Sequence, residues 1–194
     1  VKSPDENRTD SERLDRLFNS LWSHPCFTIA AVQGVALGGG AGIIACSDHA
    51  IALDSSRIAL SEAKLGILPA VIGPYVYRRV GSAQFRRLAM LAGRFGGHEA
   101  LNIGMVDQVS TSSEETNRMV DEAIATVMST GPMAVTEAKS LTETFDNWRG
   151  TDEDMRRWTL DKTSEMRGSP EGQEGLSAFL DRRPPAWSPE DQDG

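Results

Sequence analysis

Residues 35–48 read VALGGGAGIIACSD: an apolar run stopped by three consecutive glycines, Gly38, Gly39 and Gly40, and followed by small and aliphatic residues. The pattern predicts a strand, a tight glycine turn, and a helix whose first turn is almost bare of side chains. Backbone N–H groups at a helix N-terminus lack intrahelical partners and carry partial positive charge. Glycine lets a ligand approach them closely. Three uses of such a turn stand open. Phosphate binding is one, although the lysine of a phosphate-binding loop and the spacing of a dinucleotide fingerprint are both missing. Donation to a developing oxyanion is the second. A close strand–helix contact that serves no ligand is the third.

Working outward, FTIAAVQG (27–34) reads as a buried strand closed by Gly34. HAIALD (49–54) and RIALSE (57–62) read as two more strands, parted by Ser55 and Ser56. LGILPAVIGPYVYRRVG (65–81) is interrupted by Pro69, Gly73 and Pro74, and SAQFRRLAMLAG (82–93) is a helix with a glycine stop at Gly93. GHEALNIG is a short helix and MVDQV a strand. At the start, residues 1–8 are polar and are expected to be disordered. Thr9 and Glu12 then have capping-box spacing, ahead of Leu14, Leu17, Phe18, Leu21 and Trp22 at helical intervals. That helix should end near Ser23, before Pro25.

After residue 109 the chain reads as helical. Ser112 and Glu115 open one helix and Pro132 a second. Thr151 and Asp154 open a third, with Met155, Trp158 and Leu160 expected to be buried; Ser169 and Pro170 open a fourth, which Pro184 and Pro185 end. The acidic tail, 188–194, is expected to be loose. The organisation is thus an α/β part over 1–109 and a helical part over 110–194.

Lysine and arginine number 20 against 28 aspartates and glutamates, a net charge of −8, which argues against a nucleic-acid partner. Cys26 and Cys46 each sit in an apolar run and read as small buried hydrophobes, so no disulfide framework is implied and a reducing cytoplasm fits. No run is long enough for a membrane span, and nothing in these residues reads as a signal peptide.

Four colinear stretches resemble the enoyl-CoA hydratase/isomerase (crotonase) family. They are AAVQGVALGGGAGIIACSDHAIA, IALSEAKLGILPAVIGPYVYRRVG, LAMLAGRFGGHEALNIGMVDQV and GSPEGQEGLSAFLDRRPPAW, and they span most of the chain from Phe27 to Trp187. The resemblance implies an α/β fold, a spiral of ββα turns with a C-terminal helical region that supports trimers, often paired into hexamers. It implies a coenzyme A thioester as substrate, with no separate cofactor and no metal. It also implies an oxyanion hole of two backbone N–H groups, one of them on Gly39. Leu37, Gly38, Gly40, Gly42, Leu65, Pro69 and Ala70 would then line the substrate site, and an enolate-like anion would be held while a proton moves.

In hydratases of this family two glutamates move protons. The second matches Glu62, at a strand end between Leu60 and Leu65, where partial desolvation suits a general acid/base. An ordinary surface ion pair with Lys64 is the plain alternative for this residue. The first glutamate falls on Gly42, so a two-glutamate mechanism does not carry over. The GGGAG turn, LSEAKLGILPAVIGPYV and the EGQEGL ending most resemble methylglutaconyl-CoA and isohexenylglutaconyl-CoA hydratases. The family's upstream segment, commonly Phe-Ser-x-Gly-x-Asp with the other oxyanion donor, is not among these residues and is expected to precede them.

Other residues weigh less. His24, His49 and His98 are scattered, and a metal site needs convergence. Asp48 is expected to cap or pair. Tyr75 and Tyr77 read as packing residues, one of them a candidate acyl-pocket wall. Lys139, Lys162 and Arg182 lie on helices and read first as solvated faces, second as contacts for coenzyme A phosphates. Trp148, Trp158 and Trp187 read as helix-packing anchors. Three functions compete: a hydratase for a branched 2-enoyl-CoA, a one-carboxylate decarboxylase or double-bond isomerase, and a non-catalytic crotonase-fold subunit.

Overall fold

The computed structural model describes residues 3–188, in two compact units. One contains residues up to 24 together with 28–121; the other contains 25–27 and everything from 122 onward. The positions assigned to the loose tail beyond Ser188 lie outside the described residues.

The first unit opens with α1 (Pro4–Trp22). Five short strands follow in the unit: β1 (Ile29–Val32), β2 (Val35–Leu37), β3 (His49–Leu53), β4 (Arg57–Ala59) and β5 (Gln108–Ser110). They form two parallel sheets, ordered β1-β3-β5 and β2-β4. Gly34, at φ +73°, makes the corner at which the chain leaves the first sheet for the second. With α1, the helices α2 (Gly39–Cys46), α3 (Gly73–Leu91) and α4 (Gly97–Asn102) pack in this unit. Phe18, Ile44, Ile51, Ile58, Val76 and Met105 are almost wholly buried and fill its core. This mixed α/β architecture agrees with the fold class read from the sequence.

Several local expectations change. Residues 4–8 are helical rather than disordered, because Ser3 and Glu6 form a capping box and Pro4 occupies the first helical turn. Thr9 therefore lies inside α1. Helix α3 begins at Gly73, where a break was expected. Pro74 sits in its first turn, where the missing N–H costs nothing, and Gly81 (φ +75°) kinks it. The helix stops on Ala92 in the left-handed region, one residue before Gly93. Cys26 is exposed; Cys46 is buried, and burial pushes its thiol up to about 12.

Arg79 and Asp107 lock the first unit. The guanidinium donates to the carbonyls of Met105 (2.7 Å) and Ser47 (2.8 Å) and to the Asp107 carboxylate (2.6 Å). Asp107 also accepts from the Ala50 N–H at 2.7 Å. Asp48 accepts from both the N–H and the hydroxyl of Thr28, tying α2's exit to the start of β1.

After β5 come α5 (Ser113–Met128), α6 (Pro132–Asp146), α7 (Asp152–Gly168) and α8 (Pro170–Asp181). In the second unit Glu171 of α8 caps α6, its carboxylate accepting from the N–H groups of Met133 and Ala134. Phe145 and Trp148 pack on Trp158, with ring centroids 6.2 and 5.9 Å away. None of the three residues expected to be buried on α7 is so: Met155 and Trp158, on its packed face, are half-buried, and Leu160, off that face, is 71% exposed. Lys162 pairs with Glu137 at 2.9 Å, and Lys139 donates to the Cys26 carbonyl.

Candidate active site

Strand register builds the site. Leu37 of β2 pairs with Ala59 of β4, so the two parallel strands end side by side. Their carboxyl ends are where an α/β sheet presents ligand sites. The Gly38 N–H extends the ladder by one bond, donating to the Ala59 carbonyl at 2.9 Å. Beyond that bond β2 turns into α2, while β4 runs through Leu60 and Ser61 into a 3-10 turn, Glu62–Leu65.

Gly38 holds φ +50°, ψ −110°, a conformation that side chains rarely adopt. Space demands glycine there as well: a Cβ would lie 3.0 Å from Glu62 Oε1 and 3.8 Å from Ser61 Oγ. The glutamate carboxylate thus rests directly on the turn. Gly39, the first helical residue, is exposed, and its N–H has no acceptor among the described residues. It points out of a helix N-terminus that no side chain caps. An unpartnered donor and a carboxylate therefore share one small region, and α2 adds its dipole.

Glu62 has no ion pair or hydrogen bond through its side chain among the described residues, so the expected alternative of a pair with Lys64 is not what forms. Its Oε2 is buried without any partner. Buried polar atoms are nearly always satisfied, so such an exception calls for a reason. A proton-transfer group waiting for a substrate or a water is one.

The remaining sequence candidates divide. Leu37 and Gly40 flank the turn, and a Cβ at Gly40 would press on Ala36 at 3.3 Å. Gly42, the position of the sequence-predicted first glutamate, is buried and does not line an open site. A Cβ there would meet Ile72 Cγ2 at 2.5 Å and Phe18 Cε1 at 2.9 Å. The direction a Cβ would take from position 42 is filled with hydrocarbon, and Glu62 is the carboxylate that the described residues bring to the turn. Phe18 and Ile72 set this, and neither stood out in the sequence except as a packing residue.

Pro69 is buried and Ala70 exposed, and both line an apolar cavity of about 440 Å3 that Leu68, Tyr77 and Phe85 also bound. Leu65 is exposed and does not line that cavity. Tyr77 meets Phe85 edge-on, whereas Tyr75 is buried against Phe18 and Trp22. His49 lies 3.5 Å from Asp107 and His98 lies 3.6 Å from Asp54. Among the described residues no cluster of three or more His, Cys, Asp or Glu could hold a metal, and no helix is long and apolar enough to cross a membrane.

Residues 2–190 match the family model described as enoyl-CoA hydratase/isomerase. A crystal structure of an enoyl-CoA hydratase from Shewanella pealeana superposes with a TM-score of 0.88 at 35% identity, over 96% of this chain and 69% of that one. AtuE of Pseudomonas aeruginosa gives 0.91 at 33% identity, over 96% and 71%. An enoyl-CoA hydratase of Alternaria alternata is 30% identical over 167 residues, which are 86% of this chain but 55% of that protein.

Proposed function

The chain belongs to the enoyl-CoA hydratase/isomerase family, and from that premise we propose that it adds water to the double bond of a 2-enoyl-CoA thioester, with Gly39 holding the thioester oxygen and Glu62 moving the proton. The observation that carries this reading is the buried, unpartnered Glu62 carboxylate oxygen beside the uncapped turn of α2.

The thioester oxygen accepts the Gly39 N–H and so sits at the positive end of α2. Water attacks C3 while the Glu62 carboxylate takes one of its protons. The electrons of the C2–C3 double bond move onto the thioester oxygen as an enolate, which the N–H stabilises. The enolate then collapses and C2 takes the proton from the Glu62 carboxyl. The product carries the hydroxyl on C3 and the new hydrogen on C2, and the carboxylate is regenerated. The family resemblance implies a second backbone N–H donor for the same oxygen. No cofactor takes part, since coenzyme A belongs to the substrate.

The finer reading, a branched substrate such as 3-methylglutaconyl-CoA, is supported by the sequence resemblance of the GGGAG turn and the EGQEGL ending. The apolar wall of Pro69, Ala70 and Tyr77 would suit the hydrocarbon part of an acyl chain and offers no cation to a distal carboxylate. Assembly into trimers or hexamers is supported by α8, where Phe179 and Leu180 are 81% and 77% exposed.

The closed space at Gly42 favours one second reading. Double-bond isomerisation or decarboxylation of a glutaconyl thioester each requires only one carboxylate. Turnover of crotonyl-CoA and 3-methylglutaconyl-CoA by the product of the full reading frame, with products identified by mass, separates these. A gain of one water supports hydration, an isomeric product or released carbon dioxide supports the second reading, and no turnover of either thioester overturns both.

A further inference from the structure

We infer that Ser61 is a positioning residue of the proton-transfer site, its hydroxyl holding the water that Glu62 deprotonates. The inference rests on the hydratase reading above.

Ser61 is the N-cap of the 3-10 turn that carries Glu62 (φ −87°, ψ 0°), yet its side chain caps nothing. A serine at such a position ordinarily accepts an N–H two or three residues on. The Lys64 N–H donates to the Ser61 carbonyl at 3.2 Å, the ordinary first bond of the turn, and the hydroxyl adds no bond to it. The hydroxyl has no hydrogen-bond partner among the described residues. It turns toward Gly38: the position a Cβ would take on that glycine is 3.8 Å from Ser61 Oγ and 3.0 Å from Glu62 Oε1. Two unpartnered oxygens therefore flank the same backbone step, and the next residue, Gly39, presents the N–H assigned to the thioester.

A site that adds water must hold it, and an ordered water needs two or more polar partners. In a two-glutamate site the second carboxylate supplies one of them. Here position 42 is closed by Ile72 and Phe18, so no acid reaches from that side. Ser61 provides the missing partner. Water donates one hydrogen to the Glu62 carboxylate and accepts the Ser61 O–H on one lone pair. Its other lone pair is left for C3. The serine proton is not transferred, so the balance of the reaction is unchanged.

The test compares wild type, Ser61→Ala, Ser61→Thr and Glu62→Gln, each made from the full reading frame. Two rates are measured: hydration of crotonyl-CoA, and deuterium exchange at C2 of butyryl-CoA in D2O. Exchange needs the oxyanion donor and Glu62 but adds no water. Loss of one hydrogen bond to the attacking water should lower the Ser61→Ala kcat for hydration by about 10–100-fold, with KM within about threefold. Exchange should stay within about threefold of wild type, and Ser61→Thr, which keeps the hydroxyl, should recover most of the hydration rate. Hydration by Ser61→Ala at the wild-type rate, or exchange lost as fully as hydration, overturns the inference and leaves the hydratase reading standing. If wild type neither hydrates nor exchanges, the reading itself fails and the inference falls with it.

Discussion

Two carboxylates of the first unit, Glu62 and Asp107, are built in opposite ways. Asp107 accepts from Arg79 at 2.6 Å and from the Ala50 N–H at 2.7 Å, and His49 lies 3.5 Å away. Its partners tie α3, β3 and the approach to β5 together. Glu62 has no partner among the described residues, and one of its oxygens is buried. The first carboxylate is part of the framework. The second is held by that framework at a stability cost, which is how a group kept for chemistry differs from a group kept for folding.

Replacing the unpartnered carboxylate gives the largest expected effect. Glu62→Gln should lower hydration of an enoyl-CoA by about 10²–10⁴-fold, the usual contribution of a general acid/base. Its urea midpoint should stay equal to wild type or rise, because a neutral amide is cheaper to bury than an unpaired carboxylate. A large drop in stability would instead make Glu62 a structural residue and erase the contrast with Asp107.

The opposite result is expected at the other pole. Arg79→Ala strands the Ser47 and Met105 carbonyls and leaves Asp107 without its cation, and should cost about 2–3 kcal/mol in urea unfolding. The kcat of the protein that remains folded should be close to wild type.

Gly42→Ala tests why the site has only one acid. The new methyl meets Ile72 and Phe18, and overpacking of this kind should cost about 1–3 kcal/mol. Adding Ile72→Ala, which removes the clashing Cγ2, should recover part of that loss. Full stability of Gly42→Ala on its own would show that position 42 had room for a side chain.

The smallest effect concerns a partnered carboxylate in the second unit. The Arg183 guanidinium, with the Ala186 N–H, holds the Glu174 carboxyl down at about 2. A lowered carboxyl stabilises the fold above the ordinary carboxylate range and loses that contribution as pH falls toward 2. Its NMR titration midpoint should therefore lie near 2 in wild type and return toward 4.5 in Arg183→Ala. The pair lies at the surface, with the Glu174 side chain 28% and that of Arg183 42% exposed, and solvent screens it, so little change in unfolding is expected.

Much of the fold was legible in the sequence because its signals are local. Period and punctuation located the strands around the glycine turn, and Pro132, Thr151 and Ser169 each marked a real helix start. Misreadings came where a local signal lacked its usual company. Residues 4–8 carry no apolar stripe, so the Ser3–Glu6 cap that starts α1 went unread. Pro74 read as a break although a proline in the first turn of a helix is well placed. Leu160 has the chemistry of a core residue but lies on the open side of α7.

The sequence by itself determined most element types and the glycine turn, because each depends on residues close together along the chain; Glu62 was singled out through the family resemblance. Tertiary structure alone decided what the turn faces. The Leu37–Ala59 register carries Ser61 and Glu62 to Gly38 from more than 20 residues away. The packing of α1 and of the segment before α3 puts Phe18 and Ile72 against Gly42. Strand register and side-chain direction are set by burial across the whole unit, and no local run of residues encodes them.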